Sequence, residues 1–133
     1  MNPVFLDTVG LVATWNRSDQ WHTAGTAAFT ALLQRQVPLV TTSYILLECG
    51  NDAARRPYRS QVVALRQLLL AQGSLIEPTL GDIDQAWTDF ARGLAGDASI
   101  VDHVSFIVMR RLGITEAFTN DRHFRAAGFV TLF

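Results

Sequence analysis

The stretch Ser99–Phe124, SIVDHVSFIVMRRLGITEAFTNDRHF, decides how this chain is built. Its first half reads as an apolar helix over 99–112, between a serine able to cap it and Gly113 able to stop it. Its second half, 114–118, reads as a short buried strand, and Asp121 follows soon after. A helix of about 13 residues rises roughly 20 Å. A return strand of five or six residues covers roughly 17–20 Å. The chain runs out along the helix, turns at Gly113 and comes back by about the same length. Asp102, in the first helical turn, and Asp121 therefore fall at one end of the molecule.

Working outward, the same alternation of short apolar strands and amphipathic helices repeats. Val4-Phe5-Leu6 reads as a buried strand ending at Asp7, with a helix near 9–15 after it. Residues 19–36 carry an apolar face at helical spacing, and Pro38 ends that segment. Leu39-Val40-Thr41 is a second strand, followed by a helix over 44–53 with Ser43 as its expected cap. Arg55-Arg56-Pro57 interrupts, and a helix over 58–71 runs to Gly73. Strand 74–76 is stopped by Pro78, and Gly81-Asp82 opens a helix expected to run to Gly96. A short turn or helix over 122–127 and a strand over 129–132 complete the chain. Short continuous apolar strands separated by helices imply a parallel sheet covered on both faces. The expected class is α/β: a sandwich with a central parallel sheet of about five strands flanked by helices. The 133 residues fit one domain, 1–133, with no internal repeat or linker.

Composition narrows the chemistry. The net charge of −1 gives no global basic field for nucleic acid. All eleven basic residues are arginine, which removes P-loop, Schiff-base and other lysine-dependent mechanisms. A single cysteine, Cys49, excludes an internal disulfide and a cysteine-based zinc site, and reads as a small buried apolar residue. No signal-peptide pattern opens the chain and no apolar run spans a bilayer, so a cytoplasmic protein is expected.

Four acids then point to one sheet edge. Asp7 ends the first strand, Glu48 lies in the second turn of the helix after strand two, Asp102 opens a helix, and Asp121 follows the fourth strand. Strand C-termini and the starts of the following helices share an edge in a parallel sheet, and ligands bind there. Four carboxylates close together repel one another unless a cation joins them. Hard oxygen donors suit Mg²⁺ or Mn²⁺, and a hydrated ion so held can orient a water for attack on a phosphodiester. Helix capping explains Asp7 or Asp102 singly, the latter within Ser99-x-x-Asp102.

The set Phe5-Leu6-Asp7-Thr8, Leu47-Glu48-x-x-Asn51, Ser99-x-x-Asp102-x-x-Ser105-Phe106 and Thr119-Asn120-Asp121-x-x-Phe124 resembles PIN domains of the VapC type over the whole chain. The resemblance implies a PIN-like α/β/α sandwich and an Mg²⁺- or Mn²⁺-dependent endoribonuclease. It implies the toxin half of a type II toxin–antitoxin pair, partnered by a VapB-like antitoxin and commonly homodimeric. It places metal-binding and catalytic roles on Asp7, Glu48, Asp102 and Asp121, with Glu48 either ligating the ion or positioning the attacking water. Asp97 matches an auxiliary acid of the family. The alternatives are a PIN-like module that binds RNA or protein without cutting, and a phosphotransfer domain, which the missing lysine disfavours.

Other residues carry narrower expectations. Thr119 is placed to bond a carboxylate or a phosphate, Ser99 to cap or assist Asp102, and Asn51 to bond Glu48 one turn away. His123 reads first as an exposed residue without function, with a substrate-facing role as the alternative. His103 stands where relatives carry a small residue or cysteine, and a second contact to the site or substrate is open to it. Asp19-x-x-His22 reads as a capping acid with a surface histidine. Arg55, Arg56, Arg110 and Arg111 are candidate phosphate contacts set against a solvated face. Trp15, Trp21 and Trp87 read as core or interface. Val62–Leu70 is apolar around more than one face, as for a partner surface. Gly10 is expected to loosen the first helix.

Overall fold

The computed structural model describes residues 1–133. Its elements, in chain order, are β1 (Val4–Leu6), α1 (Thr8–Trp15), α2 (His22–Gln34), β2 (Leu39–Thr42), α3 (Ser43–Ala53), α4 (Arg59–Gln72), β3 (Leu75–Ile76), α5 (Leu80–Ala91), α6 (Ile100–Leu112), β4 (Glu116–Phe118), α7 (Arg122–Ala126) and β5 (Val130–Thr131). The sheet order is β3-β2-β1-β4-β5 and every pairing is parallel. Right-handed crossovers put α1–α4 on one face and α5–α7 on the other. The packing agrees: α1 meets α2 and α3, α3 meets α4, and α6 meets both α5 and α7.

The winding reverses between β1 and β4. Chain leaving β1 goes one way along the sheet, and chain leaving β4 goes the other. This is where a doubly wound sheet opens a crevice at its carboxyl edge. Asp7 follows β1 directly, and Thr119 and Asp121 follow β4.

The core explains why the edge is rigid. Val4, Phe5, Leu6, Ala117 and Phe118 are essentially inaccessible, so the two central strands are buried on both faces. Helix α6 is buried from Asp102 through Phe106 and again at Val108 and Met109. Phe106 meets the Phe124 ring edge-on at 5.0 Å and lies 5.7 Å from Phe129, which ties α6 to α7 and to the residue leading into β5. Burying such a ring contributes about 3 kcal/mol or less before cavity effects.

Gly10 does the opposite of loosening its helix. A Cβ there would lie 2.1 Å from the Phe118 carbonyl oxygen, so the backbone of α1 rests directly on the end of β4. That close approach draws the start of α1, and with it Asp7, toward Thr119.

Several boundaries differ from the sequence reading, each for a local reason. Thr42 rather than Ser43 caps α3, because the buried Thr42 hydroxyl accepts from the Ile45 N–H at 3.3 Å. Helix α5 starts at Leu80 under a capping box between Thr79 and Asp82. It stops at Ala91, not at Gly96, because Gly93, Ala95 and Gly96 all take left-handed backbone angles. Helix α2 begins at His22, after Asp19 turns the chain by accepting from the Trp21 N–H. Its His22 side chain is tied to the Ala13 carbonyl at 2.8 Å.

Candidate metal centre and active site

The structure brings Asp7, Glu48, Asp102 and Asp121 together on one cleft of about 480 Å³, shared with Thr8, Asn51, Asp97, Ser99 and His123. Three of the four acids stand at helix N-termini. Asp7 caps α1, Asp102 occupies the first turn of α6, and Asp121 caps α7. Unpaired N–H groups at those ends favour negative charge. Glu48 comes from the middle of α3.

Each of these carboxylates has one oxygen held and the other without a protein donor. Asp7 Oδ2 accepts from the Thr119 hydroxyl at 2.7 Å and the Val9 N–H at 3.4 Å. Glu48 Oε1 accepts from the Thr8 hydroxyl at 2.6 Å. Asp102 Oδ2 accepts from the Ser99 N–H at 3.2 Å while the Ser99 hydroxyl accepts from the Asp102 N–H. Asp121 Oδ1 accepts from the His123 N–H at 2.9 Å. Asp102 is therefore a capping residue that retains a free oxygen toward the cleft.

The electrostatics of the cluster follow from burial and from like charges held close together. Burial, then the neighbouring charges of Asp102, Asp121 and Glu48, push the Asp7 carboxyl up to about 7 against the Thr119 hydrogen bond. Burial also raises Glu48, and burial with Asp121 raises Asp102. Crowded, desolvated carboxylates with free oxygens are a fitting donor set for a hard divalent cation. The densest group is Asp102, Asp121 and His123, whose candidate ligand atoms all lie within 4.8 Å of one another. Asp7 and Glu48 flank that trio.

His123 is not the exposed residue that the sequence suggests. Its ring is mostly buried, with Nδ1 2.8 Å from Asp121 Oδ1 and Nε2 2.6 Å from Asp97 Oδ1. No sequence spacing announces the Asp97 contact, since it crosses from the loop after α5 to α7. Thr8, part of the Phe5-Leu6-Asp7-Thr8 motif but given no site role by the sequence, also lines the cleft and bonds Glu48. Thr119 does bond a carboxylate, that of Asp7, and also accepts from the Asp121 N–H. Asn51 lines the cleft but does not bond Glu48, whose held oxygen is taken by Thr8.

The remaining candidates lie elsewhere. His103 is buried between Phe90 and Phe106, with Nε2 unpartnered, and does not line the cleft. Arg111 is engaged with Asp82 at 2.8 and 3.0 Å. Arg110 lies over the Phe106 and Phe129 rings and donates to the Ala127 carbonyl. Arg56 lines a separate cleft with Arg17 and Tyr58. Cys49 is fully buried, and burial pushes its thiol up to about 12, which removes it as a nucleophile. Trp15 stacks on Tyr58, whereas Trp21 and Trp87 are exposed.

A five-stranded parallel sheet with helices on both faces, bearing acids at its switch point, defines a PIN-like α/β/α sandwich. No protein-family model matches the chain. It is 36% identical over 129 residues to the 23S rRNA-specific endonuclease VapC20 of Mycobacterium tuberculosis, in both strain CDC 1551 / Oshkosh and strain H37Rv. That match covers 96% of this chain and 95% of the relative. The crystal structure of M. tuberculosis VapC20, described as a Sarcin-Ricin loop cleaving toxin, superposes with a TM-score of 0.81 at 29% identity over 96% of both chains. FitAcB from Neisseria gonorrhoeae shares the fold, with a TM-score of 0.64 at 13% identity over 98% of this chain and 96% of that one. The chain belongs to the VapC-type PIN-domain toxins.

Proposed function

We propose that the protein is a divalent-metal-dependent endoribonuclease acting as a toxin, with Asp7, Glu48, Asp102 and Asp121 as its catalytic and metal-binding residues. The observation that carries this reading is the cleft itself: four carboxylates, each with one oxygen fixed and one free. Fixing one oxygen keeps each acid in a single orientation, and the repulsion among them favours binding a cation. Mg²⁺ or Mn²⁺ would be held chiefly by Asp7, Asp102 and Asp121; when bound it supplies charge stabilisation at phosphorus and acidifies a bound water.

The chain's own residues do the rest. Glu48, raised by burial and pinned by Thr8, is suited to accept a proton at its free Oε2 from the attacking water. Thr119 holds Asp7 and the Asp121 backbone in one register. In-line hydrolysis would leave a 5′-phosphate and a 3′-hydroxyl. Ser99 and Asp97 serve as auxiliary residues that orient Asp102 and His123, and Asn51 stands on the rim toward substrate.

Because M. tuberculosis VapC20 carries 23S rRNA in its name, ribosomal RNA is the first substrate to try. A VapB-like antitoxin is the proposed partner, and an apolar groove of about 610 Å³ between α1, α2 and α4 offers it Leu33, Leu65 and Leu68. The exposed side chains of Val63, Leu68 and Leu70 on α4 suit such a partner or a second copy in a homodimer. No helix is long and apolar enough to cross a membrane. The test is incubation of antitoxin-free protein with rRNA in Mn²⁺, Mg²⁺ or EDTA, followed by end mapping. Metal-dependent cuts bearing 5′-phosphates are expected; cleavage that survives EDTA, or leaves 2′,3′-cyclic phosphates, would refute the reading.

A further inference from the structure

We propose that His123 is itself a ligand of the divalent cation through Nδ1, beside Asp102 and Asp121, with Asp97 as the residue that orients its ring, making the centre a mixed nitrogen–oxygen site that favours Mn²⁺ over Mg²⁺. The inference rests on the metal centre proposed above and adds to it a donor of different chemistry.

Three observations carry it. The first is spacing. Nδ1 lies 2.8 Å from Asp121 Oδ1 and 3.9 Å from Asp102 Oδ2, the oxygens that backbone N–H groups fix and that each keep a lone pair for an ion. Donors on an octahedral ion at about 2.1 Å are separated by roughly 3–4 Å. The second is the orientation of the ring. Nε2 lies 2.6 Å from Oδ1 of Asp97, whose side chain is 79% exposed and reaches the ring from the solvent side. A carboxylate accepts, so Nε2 is the nitrogen that donates in this contact. The other nitrogen, Nδ1, is the one aimed at Asp121 and Asp102. A histidine that gives one N–H to a carboxylate and turns its second nitrogen to a cluster of acids has the arrangement of metal-ligating histidines.

The third observation is rigidity. The His123 N–H donates to Asp121 Oδ1, and the next residue, Phe124, is wholly buried against Phe106. The first turn of α7 is thereby fixed from both sides, and the imidazole does not depend on a mobile loop for its position.

An imidazole donor changes which ion the cleft prefers. Mg²⁺ takes oxygen ligands and gives up water reluctantly, whereas first-row transition ions accept nitrogen. A site of carboxylates alone discriminates little on this ground; a site with one imidazole favours Mn²⁺.

Pulsed electron paramagnetic resonance on the full chain loaded with MnCl₂ tests this without reference to activity, alongside calorimetric titration with MnCl₂ and MgCl₂. The wild type is expected to show nitrogen modulation from a bound imidazole. His123→Gln should lose that signature and bind Mn²⁺ about 10- to 100-fold more weakly, with a smaller change for Mg²⁺. Asp97→Asn should keep the nitrogen signature and lose about 10-fold in Mn²⁺ affinity, as expected of a positioning residue. Tight Mn²⁺ binding by the wild type without nitrogen coupling would overturn the assignment of His123 and leave the carboxylate centre standing, with the histidine only paired to its acids. Equal Mn²⁺ affinity of His123→Gln and wild type would do the same. Failure of the wild type to bind Mn²⁺ at all would overturn both readings. The wild-type spectrum decides the question even if a variant misfolds.

Discussion

Replacing Asp7 by Asn should make the protein more stable without divalent cations while abolishing cleavage. Asp7 is 2% exposed, and its carboxyl is pushed from 3.8 up to about 7, by burial first and by its acidic neighbours after that. A carboxyl raised in the folded state costs nothing below its unfolded value. The cost grows as pH rises and is complete above about 7. Three pH units at about 1.4 kcal/mol each give a penalty on the order of 4 kcal/mol at pH 8. Asn keeps the shape, and its Oδ1 can accept the same bonds from Thr119 and Val9. Its amide hydrogens need partners in a buried place, at a cost of about 1–3 kcal/mol. The variant should therefore gain about 1–3 kcal/mol at pH 8, or roughly 3–10 °C in Tm for a chain of this size. Thermal unfolding in EDTA at pH 5 and pH 8 provides the comparison. The difference between variant and wild type should grow by about 2–3 kcal/mol across that range. A variant less stable than wild type at pH 8, or a difference independent of pH, would refute the argument that Asp7 is a strained carboxylate.

Further outcomes follow from single contacts. Gly10→Ala puts a methyl against the Phe118 backbone, which cannot retreat; it should cost about 3 kcal/mol or more and lower metal affinity by displacing Asp7, as read by denaturant unfolding and Mn²⁺ titration. Thr119→Val removes the bond that lowers the Asp7 value, so the pH at which Mn²⁺ affinity reaches half its maximum should move upward. In the wild type that affinity should rise as pH increases through about 7, because protons and cation compete for Asp7; an affinity that falls over this range would count against the site. Thr8→Val frees Glu48 and should slow cleavage by about 10-fold or more with little change in Mn²⁺ affinity, which single-turnover kinetics and calorimetry separate.

How much of this was legible in the sequence depends on the distance over which each contact acts. The strands and helices were visible because burial on two faces leaves apolar runs such as Val4-Phe5-Leu6, and helices leave periodic ones. The length of α6 against its return strand was enough to bring Asp102 toward Asp121. The end of α5 was misjudged because Ala95, a residue that seldom takes left-handed angles, joins Gly93 and Gly96 in a chain of turns. Gly10 was misread because its purpose lies in β4, more than a hundred residues away. The environment of His123 is hidden for a related reason: its partner is Asp97, which only the loop after α5 brings within reach. Thr119 was anticipated as a partner for a carboxylate, but its choice of Asp7 depends on the adjacency of β1 and β4 in the sheet.

The most direct test of the central claim is rRNA cleavage by the wild type and by Asp7→Asn, Glu48→Gln, Asp102→Asn and Asp121→Asn, measured together at fixed Mn²⁺ with folding checked by circular dichroism. Each folded variant should cut at least about 100-fold more slowly than the wild type, and EDTA should silence the wild type. Undiminished cutting by any two of these variants, or by the wild type in EDTA, would contradict a four-carboxylate metal centre.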